Sequence, residues 1–252
     1  MWRELKARMR QRYRTYDYPR LEPVLPVTFK GMPVIDPSPV ANAAELVEQC
    51  PTGAISADPG QHLRLDTGKC LFCGACERAC GGQGVRFSKE YRLAARARDD
   101  LMIREGESRL ADALHREAAR LFGRSLKLRQ VSAGGCNACE ADVNVLNTLT
   151  FDLGRFGIQF VASPRHADGL LVTGPVTHNM ELALRKTYDA VPSPKIVIAV
   201  GACAVSGGLY ADHNACGAGV GRLLPVDLHV PGCPPHPWTI LDGLLRFLGR
   251  IP

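Results

Sequence analysis

The stretch "KCLFCGACERAC", residues 69–80, places Cys70, Cys73, Cys76 and Cys80 within twelve residues. Thiolates are soft metal ligands, and three of them at x2 spacing can wrap one face of an iron–sulfur cubane in a tight loop. Zinc sites more often use cysteine pairs separated by a longer loop. The run therefore reads as an iron–sulfur loop. A second group is dispersed: Cys136 and Cys139 in "GGCNACEADVN", Cys203 in "VGACAVSGG" and Cys233 in "VPGCPPHP". A lone Cys50 opens "CPTGAI". Cys216, in "DHNACGAG", lacks a partner at ligand spacing and reads as a buried structural thiol.

These cysteines need elements to hold them. From residue 126 strands and helices alternate, which implies an α/β fold with a parallel, doubly wound sheet. The expected strands are "SLKLRQV", "FGIQFVA", "DGLLVTG", "KIVIAVG" and a short "PVDLHVPG". Helices are expected over Asp142–Leu149, Asn179–Ala190 and Pro237–Leu248. Each cysteine of the dispersed group directly follows a strand, and ligands of open parallel sheets bind at the carboxyl ends of strands. Glycines there let backbone approach closely, and helix N-termini supply N–H groups to thiolates.

The upstream half reads in pieces. Residues 1–45 hold a basic helix, with Trp2, Leu5, Met9, Tyr13 and Tyr16 at helical spacing, and a proline-rich connector. That helix either docks on a partner or membrane arm, or covers its own domain. Residues 46–90 carry the first cysteine group. Residues 91–125 read as a charged helical linker, with an apolar stripe of Leu110, Leu114, Ala118, Leu121 and Phe122 ending at Gly123. Residues 126–252 form the α/β domain.

The first cysteine group resembles a two-cluster ferredoxin that has lost one cluster, giving a smaller ferredoxin-like α+β domain. In such ferredoxins the fourth cysteine of each run ligates the other run's cluster. "CPTGAI" looks like the tail of a run whose other three cysteine positions are Val40, Ala43 and Leu46. The resemblance implies one 4Fe–4S cluster on Cys50, Cys70, Cys73 and Cys76. The rival quartet replaces Cys50 with Cys80. Pro51 after Cys50 matches the family run, whereas Gly81 after Cys80 departs from it.

The second group, with "FGIQFVASPRHADGLLVTGPVT" from Phe156, resembles the small subunit of energy-converting NiFe hydrogenases of the formate hydrogenlyase type. The same family contains the cluster-bearing subunit of complex I beside the quinone site. The resemblance implies a flavodoxin-like domain and a second 4Fe–4S cluster on Cys136, Cys139, Cys203 and Cys233. Complex I subunits carry adjacent cysteines at the first position, whereas Cys136 and Cys139 are separated as in hydrogenases. The expected role is non-catalytic electron relay within an oxidoreductase. The implied partners are a hydrogenase-type large subunit carrying the nickel site and other iron–sulfur and membrane subunits. The implied location is cytoplasmic, peripheral on the inner face of the membrane through the complex. The alternative is the equivalent subunit of a related complex lacking nickel.

Several residues admit two readings. Glu140 either contacts the catalytic partner and assists proton movement, or sits in a first helical turn against the dipole. Arg165 and His166 either lie beside the second cluster, or Arg165 pairs with Asp168. His178, His213, His229 and His236 show no ligand spacing. A Walker phosphate loop, a dinucleotide fingerprint and the paired C-x2-C motifs that hold nickel are all missing from the sequence.

The totals bound the remaining classes. In 252 residues, 46% are hydrophobic, enough for a sizeable core. Ten cysteines without a disulfide pattern or a signal peptide imply a reducing compartment. The longest apolar run, "IVIAVGACAV", is half the roughly 20 residues a membrane span needs. A net charge of +6 raises a zinc-stabilised nucleic-acid binder as a different class, but aromatics are only 6% and do not alternate with the basic residues as in stacking platforms. No nucleic acid is expected.

Overall fold

The computed structural model describes residues 2–40, 42–104, 111, 122 and 125–251. The apolar stripe expected at 110–121 and the stop at Gly123 lie outside the described residues; Phe122 is buried in the main core.

Five strands form the large sheet: β6 (Leu126–Ser132), β7 (Ile158–Phe160), β8 (Gly169–Thr173), β9 (Ile196–Val200) and β10 (Leu228–Val230). All pairings are parallel, in the order β10-β9-β8-β6-β7. Counted from β6, this is the 2-1-3-4-5 order of flavodoxin-like folds. Every residue of "GLLVT" and "IVIAV" is buried. Such continuous apolar runs arise because helices cover both faces of a parallel sheet. Leu128, Leu171 and Ile198 face α4 (Ala138–Val145) and α7 (Pro237–Phe247); Leu170, Val172, Val197 and Ala199 face α5 (His178–Ala190) and α6 (Ala202–Ser206).

The α4 helix begins earlier than the expected Asp142. Asn137 takes a left-handed φ of 70°, which ends the incoming loop and starts the helix at Ala138. The polar, glycine-rich "GGCNAC" hides that start from a reading of apolar periodicity.

The small unit has the order β-α-β-β-α-β: β1 (Pro33–Ile35), α2 (Ala43–Glu48), β2 (Ile55–Ala57), β3 (Leu63–Asp66), α3 (Ala75–Ala79) and β4 (Val85–Phe87). The first strand pairs with the last and the middle two pair with each other, all antiparallel, while β5 (Met102–Ile103) extends the middle pair. This is the ferredoxin-like succession. Its core joins Ile35, Val40, Ala43, Leu46, Ile55, Leu63, Leu65 and Val85. Strand β1 comes from the proline-rich stretch that reads as connector, because Ile35 after Pro33 supplies a buried position for that core.

The two units are tightly joined. Arg98 grips the buried Asp66 with two hydrogen bonds of 2.8 and 2.6 Å. Ser206 Oγ donates to the Gly68 carbonyl at 2.9 Å. Ala95 exchanges backbone hydrogen bonds of 3.0 and 2.8 Å with His229, and so covers the open edge of β10.

Helix α1 (Trp2–Gln11) buries none of its residues. The reading in which it covers its own domain is therefore overturned. Of the expected stripe Trp2, Leu5, Met9, Tyr13 and Tyr16, only Tyr16, beyond the helix, packs inward, its ring 5.1 Å from Trp238. Among the described residues no helix is long and apolar enough to cross a membrane.

Candidate metal centres

Cys50 follows α2 and Cys80 caps α3, so the two occupy corresponding places in the two halves of the small unit. They point to different surroundings. Cys50, Cys70, Cys73 and Cys76 line one pocket, with Ile55, Leu65, Leu71 and Phe87 as apolar walls. Cys80 is not among its lining residues. Its thiol instead faces the carbonyls of Val85 and Glu77, at 3.5 and 3.7 Å, and packs on the core that contains Val40, Ala43 and Leu46.

The backbone is shaped for sulfur acceptors in this pocket. The Ala54 N–H donates to Cys50 Sγ at 3.2 Å and the Phe72 N–H to Cys70 Sγ at 3.3 Å. Phe72 takes a left-handed φ of 54°, uncommon for so bulky a residue. Burial pushes the Cys70 thiol up to about 12 and the Cys76 thiol up to about 11, with neighbouring cysteines adding to the rise. Thiolates here need a compensating cation, which a metal centre supplies.

The second group converges as the strands require. Cys136 and Cys139 follow β6, Cys203 lies on α6 after β9, and Cys233 follows β10. Each therefore stands at a carboxyl strand end. Cys139, Cys203 and Cys233 are all raised, by burial first and then by one another and Cys136; for Cys203 the value is about 11. Gly201 sits at φ 91°, and a Cβ there would lie 2.5 Å from Cys139 Sγ. Only glycine leaves room for that sulfur. Cys136 and Cys233 are exposed, so this site opens onto the surface.

The two groups adjoin. Leu71 and Phe72 from the first loop share one cleft with Cys233 and His236 from the second. The Cys73 thiol also contributes to raising Cys233. Among the described residues no three cysteine, histidine or acidic side chains close around a single point where one ion could sit. A lone zinc ion would draw its sulfurs to within about 4 Å of each other, given Zn–S bonds of about 2.3 Å. What the structure does bring together is four soft sulfur donors on one pocket wall, a donor set that fits an iron–sulfur centre.

Other candidates fall differently. Glu140 is buried in the first turn of α4 and accepts hydrogen bonds from Ser132 and Thr173, both at 2.6 Å. Burial raises its carboxyl, but these two donors outweigh that and hold it below the ordinary range. Arg165 and His166 lie with Lys127, Asp168 and Pro194 around a cleft where β6, β8 and β9 begin. That is the opposite end of the sheet from the cysteines, because the segment entering a parallel strand lies at its amino end. Asp168 accepts from the Lys127 N–H at 2.6 Å. Cys216 is half-buried rather than buried.

The histidines serve the fold. His178 pairs with Glu181, His213 accepts from the Ala215 N–H, and His229 is buried beside Ala95. His236 caps α7 by accepting from the Trp238 N–H at 3.2 Å, a role that ligand spacing could not reveal.

Residues 136–247 match the family model described as NADH ubiquinone oxidoreductase, 20 Kd subunit. The chain is 42% identical over 135 residues to a probable membrane-bound hydrogenase subunit of Pyrococcus furiosus, covering 54% of this chain and 81% of that one. It is 44% identical over 128 residues to formate hydrogenlyase subunit 7 of Escherichia coli, covering 51% of this chain and 50% of that one. It is 40% identical over 120 residues to an NADH-quinone oxidoreductase subunit of Heliobacterium modesticaldum, covering 47% of this chain and 69% of that one. With its parallel sheet and the cysteines at its strand ends, the chain belongs to the NADH–ubiquinone oxidoreductase 20 kDa subunit family, whose members include subunits of hydrogenase and complex I-type oxidoreductases.

Proposed function

We propose that this chain is the electron-transfer subunit of a membrane-associated, hydrogenase-type complex and holds two 4Fe–4S clusters. Cys50, Cys70, Cys73 and Cys76 would hold one, and Cys136, Cys139, Cys203 and Cys233 the other. When bound, such clusters supply reversible one-electron chemistry at potentials set by their surroundings. The observation that carries the reading is the adjacency of the two quartets, whose loops share a cleft at Phe72 and Cys233.

The chain's own residues have defined tasks in it. Ile55, Leu65, Leu71 and Phe87 keep water from the first quartet. The Ala54 and Phe72 amides stabilise negative sulfur. Gly201 lets Cys139 approach its partners. The exposure of Cys136 and Cys233 leaves the second quartet to be covered by a partner, which is where a large subunit bearing the active site would dock. The small unit would then act as a ferredoxin-like relay built into the same chain.

The test is iron and sulfide analysis of anaerobically purified protein, with electron paramagnetic resonance on reduction. About eight irons per chain and two interacting paramagnetic species are expected. About four irons and one species would remove one of the two sites, and stoichiometric zinc would remove the reading altogether. Nickel is decided on the partner. Paired C-x2-C motifs in the co-purifying large subunit mark a hydrogenase, and their lack marks a complex I-like oxidoreductase without nickel.

A further inference from the structure

The chain's net charge of +6 is not spread over its surface. Residues 2–14 hold six basic side chains, Arg3, Lys6, Arg8, Arg10, Arg12 and Arg14, against the single acid Glu4. This short segment alone carries +5, so the other residues are close to neutral. The same segment exposes the largest apolar side chains near it. Trp2 is 73% exposed, Leu5 50%, Met9 61% and Tyr13 84%.

The helix orders these groups. Trp2, Leu5 and Met9 fall at i, i+3 and i+7, on one face of α1. Lys6 and Arg8 flank that strip on either side, with Arg10 and Arg3 beyond Lys6. Arg12 then takes a left-handed φ of 51° and ends the helix. The chain is pinned to the body just after: the Tyr16 N–H donates to Thr150 O at 2.9 Å, and Arg155 donates to Tyr16 O at 2.6 Å. Helix α1 is thus an arm fixed at its base and bare along its length.

We propose that α1 lies in the interface of an anionic lipid bilayer and gives this chain a direct membrane contact of its own. Trp2, Leu5 and Met9 would enter the acyl boundary. The flanking cations would reach back to lipid phosphates along their own alkyl stems. Seating the strip in a hydrophobic groove on a protein would bury Lys6 and Arg8, whereas a lipid surface solvates them. Negative lipid headgroups complement a +5 segment, and each basic residue near such a surface adds attraction. The contact requires neither metal centre, so it stands or falls separately from the electron-transfer reading.

The full chain itself supplies the probe. It has two tryptophans, and Trp238 is buried, so a change in emission on lipid contact reports Trp2. The experiment adds vesicles of phosphatidylcholine alone, or of phosphatidylcholine mixed with phosphatidylglycerol, and follows both emission and co-sedimentation. The mixed vesicles should bind the protein, shift its emission to the blue and release it at high salt. Trp2→Phe should keep the binding and lose the shift. The triple change Trp2→Ala, Leu5→Ala, Met9→Ala should weaken binding by about tenfold or more. Binding equal on both vesicle types, no binding, or a triple variant that binds like the parent would overturn the proposal. So would a Trp2 already shielded in the lipid-free assembled complex, which would show a protein as the occupant.

Discussion

The Tyr18 hydroxyl donates a 2.7 Å hydrogen bond to Asp242 across 224 positions of sequence. Both residues are buried, and Arg246 completes the carboxylate's coordination at 2.9 Å. Tyr18 also stacks near Trp238 and Tyr91, with ring centroids at 5.2 and 6.5 Å. One side chain therefore ties the segment after α1 to the main core. Tyr18→Phe keeps the ring and removes the donor, and should lower stability by about 1–3 kcal/mol, read as a fall in the denaturant midpoint.

The same carboxyl gives a pH signature. Burial raises Asp242 above its ordinary 3.8, and the bonds from Tyr18 and Arg246 only partly offset this. Between 3.8 and that higher folded-state value the native chain holds its proton more tightly than the unfolded chain. Stability from this group is thus full at low pH and is lost as pH rises through the window. Asp242→Asn should flatten that part of the stability–pH curve. Urea midpoints measured across the acid range decide it, and a variant with the parental slope would contradict the assignment.

Cys50 and Cys80 should separate cleanly. Cys50→Ala is expected to lose about four irons and one paramagnetic species, with the second quartet unaffected. Cys80→Ala should keep all the iron and cost on the order of 1 kcal/mol in packing. The reverse pattern would assign the first centre to the contiguous run.

Gly201→Ala tests the second quartet without touching a cysteine. The new methyl would meet Cys139 Sγ and would also sit at a strained φ. Iron should fall by about half while the first centre's signal persists. Full iron content in this variant would show that Cys139 has another place to go.

The purified chain alone should neither take up nor evolve hydrogen. It offers thiols and an open face but none of the paired cysteines that hold nickel. Hydrogen turnover with an artificial dye by this chain alone would refute the role proposed for a large-subunit partner.

The large sheet was legible because its two central strands β8 and β9 are unbroken buried runs and β6 opens with alternating buried residues, and the cysteines that follow the strands inherit their positions from chain direction alone. The small unit was legible in its cysteines but not in its strands. Elements of two to four residues, such as Met102–Ile103, are too short to show a period. Arg165 and His166 were open to misplacement because closeness along the chain says nothing of which end of a sheet a loop occupies. The Tyr18–Asp242 bond lies beyond any local pattern, since only the folded chain brings those positions together. The exposure of α1 was equally hidden, because an amphipathic helix looks the same whether or not something covers it.

The backbone pairing of Ala95 with His229 has a kinetic consequence. Two redox proteins that meet in solution have an association rate, a dissociation constant and a dependence on ionic strength. Between the two cysteine quartets of this chain none of these quantities exists, because Ala95 and the Asp66–Arg98 fork fix their approach once, at folding. On the proposed reading, exchange between the two sites would be unimolecular, indifferent to dilution and to salt. The vulnerability would move as well: where a weak encounter can be regulated by a competitor, this exchange would be exposed to loosening of the contacts that join the units, the segment from Ala95 to Leu101 and the Ser206–Gly68 bond among them.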